Sequence, residues 1–232
     1  MGVLISAVLP IALVALVGVW VGSAFPLDIK TLTRLNIYAL LPALVITGVY
    51  GSTLELDTTL RIVAGFLLNC GALYVVAIAC ARPLKLSAAT RISLVATTLL
   101  ANSGNIGLPF ILFSLGEAGL ELAIVYLISS ALFIASVGPI FLKGEGLQAG
   151  LKVTVGLPVF WATLGGVALQ VIAWDVPETL DKALELLGSA AIPIALLTLG
   201  IQLSRTPLSF GIYELLAASL RLLVSPLMAY AI

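Results

Sequence analysis

Residues 101–110 read ANSGNIGLPF. Two Asn, one Ser, two Gly and one Pro fall within nine consecutive positions there. The flanks, RISLVATTLL before and ILFSL after, are apolar and favour helix. Gly and Asn raise the cost of a helix interior. Pro109 removes one backbone hydrogen bond and clashes with the carbonyl four residues earlier. The stretch predicts a helix broken near its middle, and its meaning depends on the solvent around it.

That solvent is lipid. The chain has 232 residues, 61% hydrophobic and 9% charged, with a mean hydropathy of +1.22. A soluble domain carries roughly 25% charged residues, so this chain has too little polar surface to stay wet. The first apolar run, Val3–Val21, has no basic segment before it, and further spans follow, so it reads as mature structure. Cys70 and Cys80 fall in one span, about 15 Å apart on a helix, too far for a disulfide. They read as packing residues. The absence of His removes the commonest proton shuttle and metal ligand. No phosphate loop, nucleophile motif, metal cluster or nucleic-acid-binding basic patch is visible, so the sequence reads as a non-enzyme without cofactor or metal.

Spans of about 20 apolar residues cross the bilayer core. Eight are read: Val3–Val21, Leu32–Gly51, Thr59–Ala81, Arg91–Leu115, Leu120–Leu142, Val153–Trp174, Thr179–Leu203 and Phe210–Ile232. Basic loop residues set their orientation. Lys30, Arg34, Arg82, Lys85, Arg91, Lys143, Lys152 and Arg205 fall on one side, while only Arg61 and Lys182 fall on the other. The richer side is expected to be cytoplasmic, which places the N-terminus outside a cytoplasmic (inner) membrane crossed many times.

The chain also carries a repeat. Pro26 and Pro42 are separated as Pro177 and Pro193 are, and a shift of 151 residues superposes the two pairs. The shift aligns FPLDIKTLTRLNIYALLPALVIT with VPETLDKALELLGSAAIPIALLT and places Thr47 on Thr198. It matches spans 1, 2 and 3 with spans 6, 7 and 8. An odd number of spans per copy inverts the second copy, as in many secondary transporters. The expected division is residues 1–142, one five-helix repeat with a broken fourth helix, and residues 153–232, the first three helices of an inverted second repeat. A partner of Asn102 would then stand near position 253, in a complete unit of ten spans and roughly 290 residues. The alternative is a natural eight-span form.

In lipid, the backbone groups freed by a break are tolerated only against protein or a water-filled cavity. The break is therefore expected to face inward near mid-bilayer. The preceding half-helix, Arg91–Ala101, ends in carbonyls. The next, starting near Leu108 or Pro109, is expected to open with unpaired N–H groups, which attract anions. Asn102 and Asn105 stand three apart, so both amides can point one way on a helical turn. Each amide offers donors to a carboxylate. The expected substrate site is Asn102, Ser103, Gly104, Asn105, Gly107 and Pro109, an anion site without a fixed cation; a structural kink is the competing reading.

ANSGNIGLPFILFSLGEAG resembles the crossover segment of the auxin efflux carrier family, in its bacterial permeases; Asn102, Gly107 and Pro109 carry the match. RLNIYALLPALVI, with Pro42, and AIPIALLTLGIQLS, with Pro193 and Gly200, resemble the family's second and seventh spans. The resemblance implies an all-α polytopic membrane fold of ten spans in two inverted five-helix repeats, eight of which are visible here. It also implies transport of small carboxylates such as malonate or malate. Plant members have Asn-Pro-Asn at the first crossover, where this chain has NSGN and a later Pro.

Other polar residues carry weaker signals. Glu214 and Arg221 share a face of the last span, and intramembrane charge is costly and often functional. Glu214 is a candidate for protonation and Arg221 for balancing substrate charge; a structural ion pair is the alternative. Asn69 lies mid-span, facing a cavity or bonding a neighbouring helix. Thr47, Thr198 and Gln202 flank the prolines that break their helices, Pro42 and Pro193. Glu117 and Glu121 follow the broken helix at the outer face, and TLGG at Thr163–Gly166 reads as a packing surface. The expected function is a secondary transporter of small organic anions working by alternating access, coupled to H+, to Na+ or to neither. A sodium-coupled symporter of the bile-acid type and a non-transporting sensor or scaffold remain open, as does a homodimer. The lipid bilayer is the one certain partner.

Overall fold

The computed structural model describes residues 2–84, 86–99, 102–144, 146–206 and 211–231. Lys85, the Ala101 end of the first half-helix, and Phe210 and Ile232 at the ends of the last span lie outside the described residues. Among the described residues all regular structure is helical. The elements are α1 (Gly2–Ala24), α2 (Ile29–Leu35), α3 (Leu41–Tyr50), α4 (Leu56–Ala81), α5 (Ala88–Leu99), α6 (Leu108–Lys143), α7 (Leu147–Gly156), α8 (Pro158–Ile172), α9 (Glu178–Ser189), α10 (Ala191–Arg205), α11 (Ile212–Ser219) and α12 (Ser225–Ala231).

Among the described residues six stretches are long and apolar enough to cross a membrane, and a seventh arises if α7 and α8, on either side of Leu157, form one span. One of the six, Ala88–Ile140, has 53 residues. As a straight helix it would measure about 80 Å, against a hydrocarbon core of about 30 Å. It leaves helical geometry at Gly116, where φ is 71° and ψ −162°. A Cβ at Gly119 would lie 3.5 Å from the Ile111 carbonyl oxygen, a residue about 12 Å distant along an unbroken helix. The chain therefore folds back at Gly116, and the long stretch is two spans. With that division the sequence's eight spans are all accounted for. Gly is required at the fold because only it takes a positive φ without strain.

Contacts divide the chain into two compact units. The first comprises Met1–Leu54, Asn102–Ile128 and Val155–Pro207. Here α1 packs on α10, and α3 packs on α8 and α9. Both pairings use small residues to bring backbones together, as membrane helices do in the absence of a hydrophobic drive between them. A Cβ on Gly200 would strike the Ala15 carbonyl and lie 2.8 Å from Gly18 Cα. A Cβ on Gly166 would lie 2.8 Å from Val49 Cβ. The 151-residue shift carries the pair Ala15 and Gly200 onto the pair Gly166 and Val49.

At one end of this unit polar bonds join loop to helix. Glu121 Oε2 accepts from Thr53 N at 3.0 Å and Ser52 Oγ at 3.2 Å. Gln170 Nε2 donates to the Ser52 carbonyl at 2.9 Å, and the Tyr50 hydroxyl bonds Asp181.

The second unit comprises Glu55–Ala101, Ser129–Thr154 and Leu208–Ile232. Ala81, Leu94 and Leu220 form a buried cluster there. Phe66 and Phe133 meet edge to face at 5.6 Å, and Ser136 Oγ and Thr154 Oγ1 lie 2.9 Å apart.

Three short π-helical turns interrupt the helices: Asn36–Leu40, Ser103–Gly107 and Leu220–Val224. Each is closed by an amide bonding five residues back, Leu41 N to Asn36 O, Leu108 N to Ser103 O and Ser225 N to Leu220 O. Each begins six residues before a proline: Pro42, Pro109 and Pro226. A proline pushes against the carbonyl four residues earlier, and one extra residue in the preceding turn moves that carbonyl away. π-turns of this kind cause helix bends and recur at functional sites.

Candidate functional site

The break in ANSGNIGLPF begins after α5 and resumes helix at Ser103. Asn102 is the cap: φ is −81° and ψ 61°, and its Oδ1 accepts from Asn105 N at 3.3 Å. Its carbonyl accepts from Ile106 N, also at 3.3 Å. The expectation of unpaired amides at Leu108 is corrected, since Leu108 N is bonded within the π-turn. The helix start lies one turn earlier, at Ser103 and Gly104, because the extra π residue relieves Pro109 and lets the helix continue back through it. Pro109 itself is buried in the first turn of α6.

A cavity of about 200 Å³ lies against this turn within the first unit. Gly104, Asn105 and Leu108 line it from the break, Thr33, Asn36, Ile37 and Leu41 from α2 to α3, and Ala195, Thr198 and Gln202 from α10, among others. The amides and hydroxyls thus converge from three separate parts of the sequence. Two oxygens in this wall are buried without a hydrogen-bond partner, Asn36 Oδ1 and Thr198 Oγ1. Buried polar groups are rarely left so.

The sequence-predicted residues therefore separate. Gly104, Asn105 and Thr198 line the cavity. Asn102 is exposed and engaged in the cap. Ser103 supplies the carbonyl that closes the turn, and a Cβ on Gly107 would meet Ser103 Cβ at 3.7 Å. Pro42 stands in the first turn of α3, and Pro193 in the first turn of α10.

Asn69, Glu214 and Arg221 belong to the second unit. Asn69 is buried on α4 with Oδ1 unpartnered. Glu214 is exposed in the first turn of α11. Arg221 Nη1 donates to the Thr98 carbonyl at 3.1 Å. That carbonyl belongs to the last turn of α5, where helix acceptors lack partners and the dipole is negative. Arg221 thus caps the first half-helix rather than pairing with Glu214. The second unit also holds a cavity of about 150 Å³, lined by Tyr74, Arg91, Phe133 and aliphatic side chains.

Asn36 was missed by sequence reasoning. The signal was present, since Asn36 precedes Pro42 by six residues, as Ser103 precedes Pro109.

A polytopic helical protein with a capped helix break against a polar cavity has the build of a membrane transporter. The comparisons agree. The chain is 31% identical over 211 residues to an uncharacterized transporter of Methanothermobacter thermautotrophicus, covering 88% of this chain and 69% of that protein. It is 29% identical over 147 residues to an uncharacterized transporter of Methanocaldococcus jannaschii, covering 60% of this chain and 47% of that protein. The membrane transport protein family matches residues 148–232. The chain belongs to this family, that of the auxin efflux carrier-type transporters. Both relatives are archaeal, and family membership speaks for transport rather than enzymatic chemistry.

Proposed function

We propose that the chain carries small organic anions, carboxylates in particular, across the cytoplasmic membrane as a secondary transporter. The cavity at the broken helix carries this reading: helix start, Asn105 amide and α10 hydroxyl meet there without any charged side chain in the lining. The carboxylate sits toward Ser103 and Gly104, where the dipole is positive, and Asn105 donates to it. The two copies of an inverted repeat, residues 1–142 and 153–232, provide the alternating access, with the N-terminus outside.

The test is a thermal-shift screen of small carboxylates on the purified chain, followed by uptake into liposomes. Ligands that raise the melting temperature of the wild type are expected to lose their effect on Asn105→Ala. Carboxylate binding unchanged in both Asn105→Ala and Asn102→Ala would sink the site assignment. Sodium-coupled symport is a second reading, favoured by the unpartnered oxygens of Asn36 and Thr198, since hard cations take oxygen ligands. Uptake that requires sodium would select it.

A further inference from the structure

The threonines of the membrane helices follow one rule, with one exception. Thr47, Thr97, Thr98, Thr154 and Thr163 each donate to the carbonyl four residues earlier on their own helix, at 2.8–3.0 Å. Thr198 is 5% exposed, lines the cavity, and its Oγ1 has no partner. Its counterpart under the 151-residue shift, Thr47, is fully satisfied. Beside Thr198 in the same wall stands Asn36, whose buried Oδ1 is also unpartnered.

An amide oxygen only accepts. A fully ionised carboxylate also only accepts, so it leaves Asn36 Oδ1 unpaired at a cost of about 1–3 kcal/mol and faces it with like partial charge. No Lys, Arg, Asp or Glu lines this cavity, and the chain has no His. The wall therefore asks for a ligand that donates a hydrogen bond and offers no side chain to carry a proton itself.

We propose that the cavity binds a small carboxylic acid with one proton retained, that proton being donated to Asn36 Oδ1 and Thr198 Oγ1. This rests on the carboxylate reading above and deepens it. The proton travels on the substrate: the acid takes it from water on the side it leaves and releases it to water on the other by its own equilibrium. Exposed Glu214 then has no part in coupling.

The experiment is calorimetric binding to the purified chain across pH with three probes of similar shape: succinic acid, the much more acidic tetrafluorosuccinic acid, and succinamic acid, whose amide keeps a donor that does not ionise. Succinate affinity should fall about tenfold per pH unit above its own second ionisation, following the competent fraction. The fluorinated acid should bind more weakly throughout, while the half-amide keeps its affinity above that ionisation. Thr198→Val and Asn36→Leu should each weaken succinate at low pH and the half-amide alike by about tenfold. Wild-type pH curves decide the matter if a variant fails to fold. A common pH midpoint for both diacids, equal affinity for the dianion, or restoration of dianion binding by sodium overturns the proposal. Absence of binding by every probe at every pH overturns the carboxylate reading beneath it, and the two failures are distinguishable.

Discussion

Gly200→Ala is the substitution whose cost the structure fixes most directly. In an open helix it would stabilise by about 1 kcal/mol, the propensity difference between Gly and Ala. At Gly200 the new methyl would strike the Ala15 carbonyl and lie 2.8 Å from both Gly18 Cα and Val19 N. All three are backbone of α1 and cannot rotate away. Carbon atoms rest at about 3.5–4.0 Å, so α1 must withdraw by roughly 1 Å along the face it shares with α10. Overpacking of this kind costs about 1–3 kcal/mol, which exceeds the propensity gain. The control is Gly71→Ala on α4, where a Cβ meets nothing within 4 Å. In detergent, melting should fall by a few degrees for Gly200→Ala and rise slightly for Gly71→Ala, at about 2–4 °C per kcal/mol for a chain of this length. A Gly200→Ala protein as stable as the wild type would refute the packing argument.

Asn102→Ala should remove the cap and cost about 1 kcal/mol, seen as faster hydrogen exchange at the Asn105 and Ile106 amides, while Asn102→Asp preserves protection. Arg221→Met should leave the Thr98 carbonyl unpaired and cost about 1–3 kcal/mol, with partial recovery in Arg221→Lys, measured by thermal melting. At the start of α2, bonds from the Thr31 hydroxyl and then the Lys30 amide hold Asp28 below its ordinary value of 3.8. Its stabilising contribution is therefore present above that value and lost as pH falls through the lower folded one. The stability gap between wild type and Asp28→Ala should close on acidification below 3.8.

The membrane class, the eight spans and the broken helix were all legible, because lipid permits few departures from apolar helix and Gly, Asn and Pro mark each departure. The turn between the fourth and fifth spans was legible too, and Gly116 supplies it. Geometry within the break was less so. Three-residue spacing suggested that Asn102 and Asn105 act together, but a capping Asn has its side chain engaged by its own helix, and which of two nearby residues caps is decided by φ and ψ. Arg221 was weighed against Glu214 on its own helix face. Its partner came from 123 residues away, a pairing that one-dimensional periodicity does not carry. Asn36 was missed because a helical Asn next to loop residues reads as interfacial until the turn beneath it is seen.

The π-turns have one more consequence. Each residue of a regular helix advances the facing direction by about 100°, so one added residue rotates everything downstream by that amount. The helical segments on either side of such a turn are out of phase, and each can address a different neighbour. The second span shows it: α2 lies against α10, whereas α3 lies against α8 and α9. In these helices the proline and the added residue are one unit of inheritance. Replacing Pro42 alone would leave the tail rotated, and deleting one residue alone would drive the proline into a carbonyl. Only both changes together restore a continuous helix, and that helix would turn its Leu41–Tyr50 face away from the partners it now has.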